Sequence, residues 1–282
     1  LKLQRLPREE TVEKALASAG AALMAAFCLL PFGYMALVAT AARPDFLAPD
    51  IDYAFTWHHF RAALALPSLH VLDYLRNSLA VSGIAALAVP LLGALAAFPL
   101  ARMALPGRGP LLFLALSLSM FPPISLAGHL YRMMSSLGWI NTLAALALPY
   151  AAWLLPFSVW FLVGYLRQIP PELDNAAAVD GCGPFRLLRQ VLLPLAAPGV
   201  FSAALLAFVF AFNEFLFALL LTTDHHARTV PVGIALFQGV HGEIPWGLTM
   251  AVSVLSALPM VILALVFQRR MVQGLTRGAV KG

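Results

Sequence analysis

Charge is what this chain has least of. Only 11% of its 282 residues are Asp, Glu, Lys or Arg, against about 25% in a soluble globular domain. So little charge cannot coat a water-facing surface, and a soluble fold is excluded. Lysine is almost missing, at Lys2, Lys14 and Lys281 alone. The net charge of +5 rests on arginines that flank apolar runs, which is not a nucleic-acid-binding pattern. Two cysteines, Cys28 and Cys182, cannot build a disulfide framework, and neither has metal-ligand neighbours. No GxxxxGK[ST] loop occurs, so the chain lacks the backbone cradle that grips nucleotide phosphates. HExxH is also missing, as is any nucleophile–His–carboxylate set at useful spacing, which weighs against a membrane enzyme.

What remains is apolar. Hydrophobic residues make up 61% of the chain and the mean hydropathy is +0.85. A helix needs about 20 mostly apolar residues to cross the hydrocarbon core. Six runs qualify, at about 16–42, 78–101, 111–132, 143–166, 198–221 and 247–268. They are continuous rather than alternating, which fits helices and not a barrel. The expected fold is all-α and integral to the membrane, one transmembrane domain over 1–282. The first run has a longer apolar core than a signal peptide, so it is expected to stay as a span. Prolines within the runs, such as Pro90, Pro122, Pro123, Pro156 and Pro259, predict kinked helices around a cavity.

Orientation follows from Lys and Arg. With both termini in the cytoplasm, the outer segments hold Arg43, Arg61, Arg76, Arg132 and Arg228, and the other thirteen basic residues lie inside. The positive-inside rule selects this arrangement. All seven histidines then fall on the outer side or in the outer part of the third span. His58-His59 and His225-His226 match no ligand spacing, so no metal is expected.

The segment 168–197, between the fourth and fifth runs, is the most informative. Pro170-Pro171 ends the preceding helix. Glu172 to Asp180 can form a short helix whose first turn carries Glu172 and Asp174, suited to its positive end. Gly181 permits a turn, and Pro184 suits the start of a second helix. Leu187, Leu188, Val191 and Leu192 then make an apolar stripe. Two short helices hinged at a glycine predict a compact knob.

Asn175-Ala176-Ala177, Gly181, Val191 and Leu193-Pro194 stand in the order and spacing that resembles the EAA loop of ABC-importer permeases. Asn175 stands where Glu is usual and Val191 where Ile is usual. Arg76-Asn77-Ser78, before the second span, is similar to the family's entry to that helix, Phe121-Pro122-Pro123-Ile124 to its kinked third span, and Phe212-Asn213-Glu214-Phe215 to a polar interruption recurring in the sugar branch. The tail from Gln268 to Gly282 resembles the end of MalG-like permeases of maltose-type carbohydrate importers.

This resemblance implies a six-helix permease subunit working by alternating access. Its partners would be a second, MalF-like permease subunit, two ATPase subunits that bind the ATP and Mg, and an external solute-binding protein. No cofactor would sit on this chain. Glu172, Asp174, Asn175, Ala176, Ala177, Asp180, Gly181 and Pro194 would couple to the ATPase, with Glu172 or Asp174 supplying the charge that Asn175 lacks. Gly278, Ala279, Val280, Lys281 and Gly282 would reach the ATPase interface. A di- or oligosaccharide is the expected cargo, with glycerol-3-phosphate or another small polar solute as the alternative.

Glu214 is a carboxylate at lipid depth, where charge is costly and normally faces a cavity or a partner. Asn213, Glu214 and His129 are candidate substrate-path residues. Helix packing is the competing role for Asn213 and Glu214. A stand-alone secondary transporter using Glu214 and His129 as a proton relay is the rival from another class. It lacks the paired repeat many such folds contain.

Overall fold

The computed structural model describes residues 7–44, 52–237 and 244–279. The chain divides into two compact units, one of residues 1–69 with 237–258 and one of 70–236 with 259–282.

In the first unit, α1 (Pro7–Thr40) is a single long helix despite Pro31. A two-stranded antiparallel ribbon follows, β1 (Ala41–Arg43) with β2 (Asp52–Phe55), in which Ala41 faces Phe55. Next comes α2 (His58–Ala65). His59 Nε2 lies 3.1 Å from the Ala41 carbonyl, so α2 is tied to the ribbon. The last helix of the chain passes the His59 ring at Gly247, where a Cβ would stand 2.4 Å from the ring nitrogen. Leu23 and Phe27 of α1 are about three-quarters exposed. Water would not tolerate such a continuous apolar face, and lipid does.

The second unit is a helical bundle. It contains α3 (Val71–Arg102), α4 (Arg108–Ser119), α5 (Ala127–Ser136) and α6 (Leu143–Leu166). Then come the short helices α7 (Glu172–Val179), α8 (Pro184–Leu187) and α9 (Leu193–Leu195), with a π turn over Leu188–Leu192. After them run α10 (Ala197–Phe212), α11 (Leu216–Leu221) and α12 (Val230–Ala235). The helix α13 (Trp246–Ala279) begins in the first unit and ends in this one.

Lipid tails are as apolar as leucine, so membrane helices associate through close packing and small residues rather than water exclusion. The pairing of α3 with α6 follows this rule. Ala85, Gly93, Ala94 and Ala97 on α3 are buried, and a Cβ on Gly93 would come within 2.5 Å of Ser158 Oγ on α6. Around this pair, Val81, Val89, Tyr150 and Phe217 fill one core, and Phe98, Leu162, Leu166, Leu188 and Leu192 fill the other.

Among the described residues four helices are long and apolar enough to span a membrane, and two bent pairs raise the number to six. The protein is an all-α membrane protein. Three details differ from the sequence reading. The second span starts at Val71, so Arg76-Asn77-Ser78 lie inside α3 rather than before it. The run 111–132 is two helices meeting at 89°, because Pro122 and Pro123 remove two donors at one point. The run 198–221 stops at Phe212 and resumes at Leu216. The 16 residues of α10 cover only about 24 Å at 1.5 Å each, short of the roughly 30 Å core. The last helix continues through Ala279, and Val280, Lys281 and Gly282 lie outside the described residues.

Candidate functional site: coupling knob and polar break

The segment after α6 folds as a knob at the end of the second unit where α3 and α6 terminate. Pro171 precedes α7, and Glu172 and Asp174 occupy its first turn. Gly181 takes φ +74°, the left-handed region in which a Cβ costs about 1–2 kcal/mol. The turn is closed by the Gly181 amide donating to the Ala178 carbonyl (3.1 Å) and the Cys182 amide to the Ala177 carbonyl (2.9 Å). This two-bond pattern is how helices commonly stop at glycine. Pro184 then opens α8, and the chain turns by 80° around Ala196 into α10.

The knob has two faces. Ala177, Leu188 and Leu192 are buried, the two leucines packing with Leu162, Leu166 and Ile169. Glu172, Asn175, Ala176, Asp180, Gly181 and Pro194 are exposed. So are Val179 at 89% and Phe185 at 67%. Both are large apolar side chains on the exposed face of α7 and α8.

Arg102 at the end of α3 clamps the knob. Its Nη2 donates to the Ile169 carbonyl at 2.9 Å, and its Nε lies 3.2 Å from Asp174 Oδ2. That second contact is an ion pair with poor hydrogen-bond alignment, since Arg102 Nε lacks a hydrogen-bond partner. Asp174 is thus engaged inside the chain, while Glu172 is the exposed carboxylate of the same helix as Asn175.

The polar break between α10 and α11 is the second feature. Glu214 Oε2 accepts from the Tyr150 hydroxyl (2.6 Å) and the Ala218 amide (3.1 Å), and Oε1 accepts from the Phe217 amide (2.8 Å). Glu214 therefore caps α11 and ties it to α6. Three donors compensate a carboxylate placed where charge is costly. Asn213 is exposed and donates to Val209 of its own helix (2.8 Å). His129 is exposed on α5. Trp153 packs edge-on to Phe210 and Phe217.

At the opposite end of the unit, polar side chains join distant segments. Asn77 donates to the carbonyls of His225 (2.9 Å) and Arg228 (3.0 Å). Ser78 accepts from the Val230 amide at 2.9 Å. Asn141 donates to Asp224 (2.8 Å) and accepts from the Thr223 and Asp224 amides. The Asn141 amide and the amide and ring of His226 hold the Asp224 carboxyl well below the usual carboxylate range. The sequence marks Asn77 and Ser78 by resemblance but carries no sign of their partners, about 150 residues away.

Residues 80–277 match the profile of the binding-protein-dependent transport system inner membrane component family. The trehalose/maltose transport system permease protein MalG of Thermococcus litoralis is 50% identical over 98% of this chain and 99% of its own length. The trehalose transport system permease protein SugB of Mycobacterium tuberculosis is 42% identical over 73% of this chain and 76% of its own. A solved bacterial ABC transporter involved in alginate import superposes with TM-score 0.77 at 16% identity, over 94% of this chain and 98% of the other, a likeness of fold.

The chain belongs to the binding-protein-dependent transport permease family.

It is a membrane transport subunit rather than an enzyme. Within this permease, the sequence-predicted coupling residues assemble on one knob, except that Ala177 faces inward and Asp174 is paired with Arg102. Of the predicted tail residues, Gly278 and Ala279 are helical and the rest lie outside the described residues.

Proposed function

We propose that the chain is one of two permease subunits of an ATP-driven importer of glucose disaccharides in the cytoplasmic membrane. The observation that carries the cargo is the full-length 50% identity to a trehalose/maltose permease, supported by the 42% identity to a trehalose permease. The exposed knob with Val179 and Phe185 is the docking surface for an ATPase subunit. A MalF-like permease completes the path, two ATPases hold ATP and Mg, and an external binding protein delivers the sugar. Both termini are cytoplasmic, by the positive-inside rule, and residues 1–282 work as one transmembrane domain.

ATP closure moves the knobs, and the bundle passes between two packed states. On this chain Gly181 shapes the knob, and Leu188, Leu192 and Arg102 pass its motion to α6 and α3. Glu214 holds the bend between α10 and α11 through its three donors. Asn213 is exposed at that bend and is the residue best placed to meet a sugar hydroxyl.

The test is uptake by the reconstituted complex. ATP- and binding-protein-dependent uptake of labelled trehalose or maltose is expected, unaffected by excess glycerol-3-phosphate. Uptake of glycerol phosphate instead would replace the cargo. A cysteine at Val179 is expected to crosslink to the ATPase. Labelling of that cysteine only from outside would overturn the orientation.

A further inference from the structure

The start of α3 and the loop 222–229 carry a group of side chains outside the proposed coupling knob and polar break. The rings of His70 and His225, 155 positions apart, stack with centroids 3.8 Å apart and planes within 7°. The His226 ring is tilted against His225, with centroids 4.2 Å apart. Two carboxylates bracket the three imidazoles. His70 Nδ1 is 3.0 Å from Asp73 Oδ2, and His226 Nδ1 is 2.8 Å from Asp224 Oδ1. Ligand atoms of His70, Asp73 and His225 lie within 4.8 Å of one another, and so do those of Asp224, His225 and His226. The backbone beneath is fixed by Asn77, whose amide holds the His225 carbonyl. His70 itself sits at φ +50°, a conformation uncommon for a residue other than glycine.

The geometry points to a divalent transition-metal site at His70, Asp73 and His225, with Asp224 and His226 as its flank. Two imidazoles and one carboxylate are the donor set of zinc and of related first-row ions. Imidazole rather than a carboxylate cage disfavours calcium and magnesium, which prefer all-oxygen shells. An ion lies in the plane of each ring that binds it, so loading requires the 7° stack to open by rotation about the side-chain Cα–Cβ and Cβ–Cγ bonds of His70 and His225. Such an ion ties the loop 222–229 to α3. The sequence hides the site, because neither histidine pair has ligand spacing and the two contributors meet only through the fold.

The experiment uses the full complex, purified through a tag without histidines, loaded with Zn²⁺, desalted and measured for metal content. Wild type is expected to retain about one zinc per copy of this chain. Loading with Co²⁺ is expected to give visible absorption from a low-coordinate nitrogen–oxygen shell. His70→Asn tolerates the positive φ, and His225→Gln keeps a planar side chain; each is expected to weaken retention at least tenfold, and Asp73→Asn to weaken it less. His58→Ala, on exposed α2, is expected to retain zinc as wild type does. No zinc on the wild type, or equal zinc on the His70→Asn/His225→Gln double variant, overturns the proposal. A complex that responds to pH but holds no zinc also overturns it. Retention is read without transport, so failure here leaves the proposed cargo untouched.

Discussion

The two ends of the second unit are built on different plans. At the end where α3 and α6 begin, segments far apart in sequence are stitched by side chain to backbone bonds from Asn77, Ser78 and Asn141. At the end where they finish, the knob is held by buried leucines, one arginine and a glycine turn. Directional bonds have narrow geometry and resist displacement. Apolar contacts are non-directional, and tolerate sliding better. The stitched end suits an anchor and the packed end suits an input for motion.

The sharpest way to break this contrast is Gly181→Leu. No atom lies within 4 Å of a Cβ there, so the whole cost is the left-handed backbone, about 1–2 kcal/mol. The turn is expected to shift instead, cutting ATP-driven uptake tenfold or more while the complex assembles. Gly181→Asn, which tolerates that φ, is expected to keep most activity. Normal uptake by the leucine variant would mean that knob shape does not matter.

Asn77→Ala attacks the other end. It strips donors from two carbonyls, at about 2–3 kcal/mol for two bonds of roughly 1 kcal/mol plus an unmet acceptor. The expected result is a lower melting temperature with unchanged uptake per folded complex. Selective loss of coupling would erase the distinction between the ends.

Asp174→Asn removes the charge from the Arg102 pair, whose side chains are 10% and 21% exposed. A lower melting temperature is expected, because the Arg102 guanidinium keeps only the Ile169 carbonyl, with reduced coupling, while Asp174→Glu is milder. Glu214→Gln is the smallest change, near 1 kcal/mol, since one oxygen still accepts while the amide group faces a donor. Its melting temperature is expected to fall slightly with cargo preference unchanged. A changed preference would instead place Glu214 against the sugar.

Much of the knob was legible because its signals are local. Pro171, Gly181 and Pro184 each act on their own backbone, so the two short helices and the hinge follow from composition and spacing. The interior leucine stripe was legible for the same reason. What pairs with what was not. Nothing near Asp174 names Arg102, and nothing near His70 names His225. The breaks at Met120–Pro122 and Asn213–Phe215 were half legible. The polar and proline residues were visible, but an apolar run does not say where a helix stops. Glu214 stood out as costly, and only the fold shows which donors compensate it.

The helices α3 and α6 meet closely at Gly93. With no side chain there, the backbone of α3 lies against Ser158 of α6, and the Ser158 hydroxyl reaches toward the Val89 carbonyl at 3.4 Å. Two helices interlocked midway cannot slide past each other without a clash. Under the proposed coupling, the pair would respond to a displacement of the knob as one unit rather than as two helices. A Cβ at position 93 would meet Ser158 Oγ at 2.5 Å and Ser158 Cβ at 3.2 Å, so any larger residue there must displace the Ser158 side chain and loosen this contact.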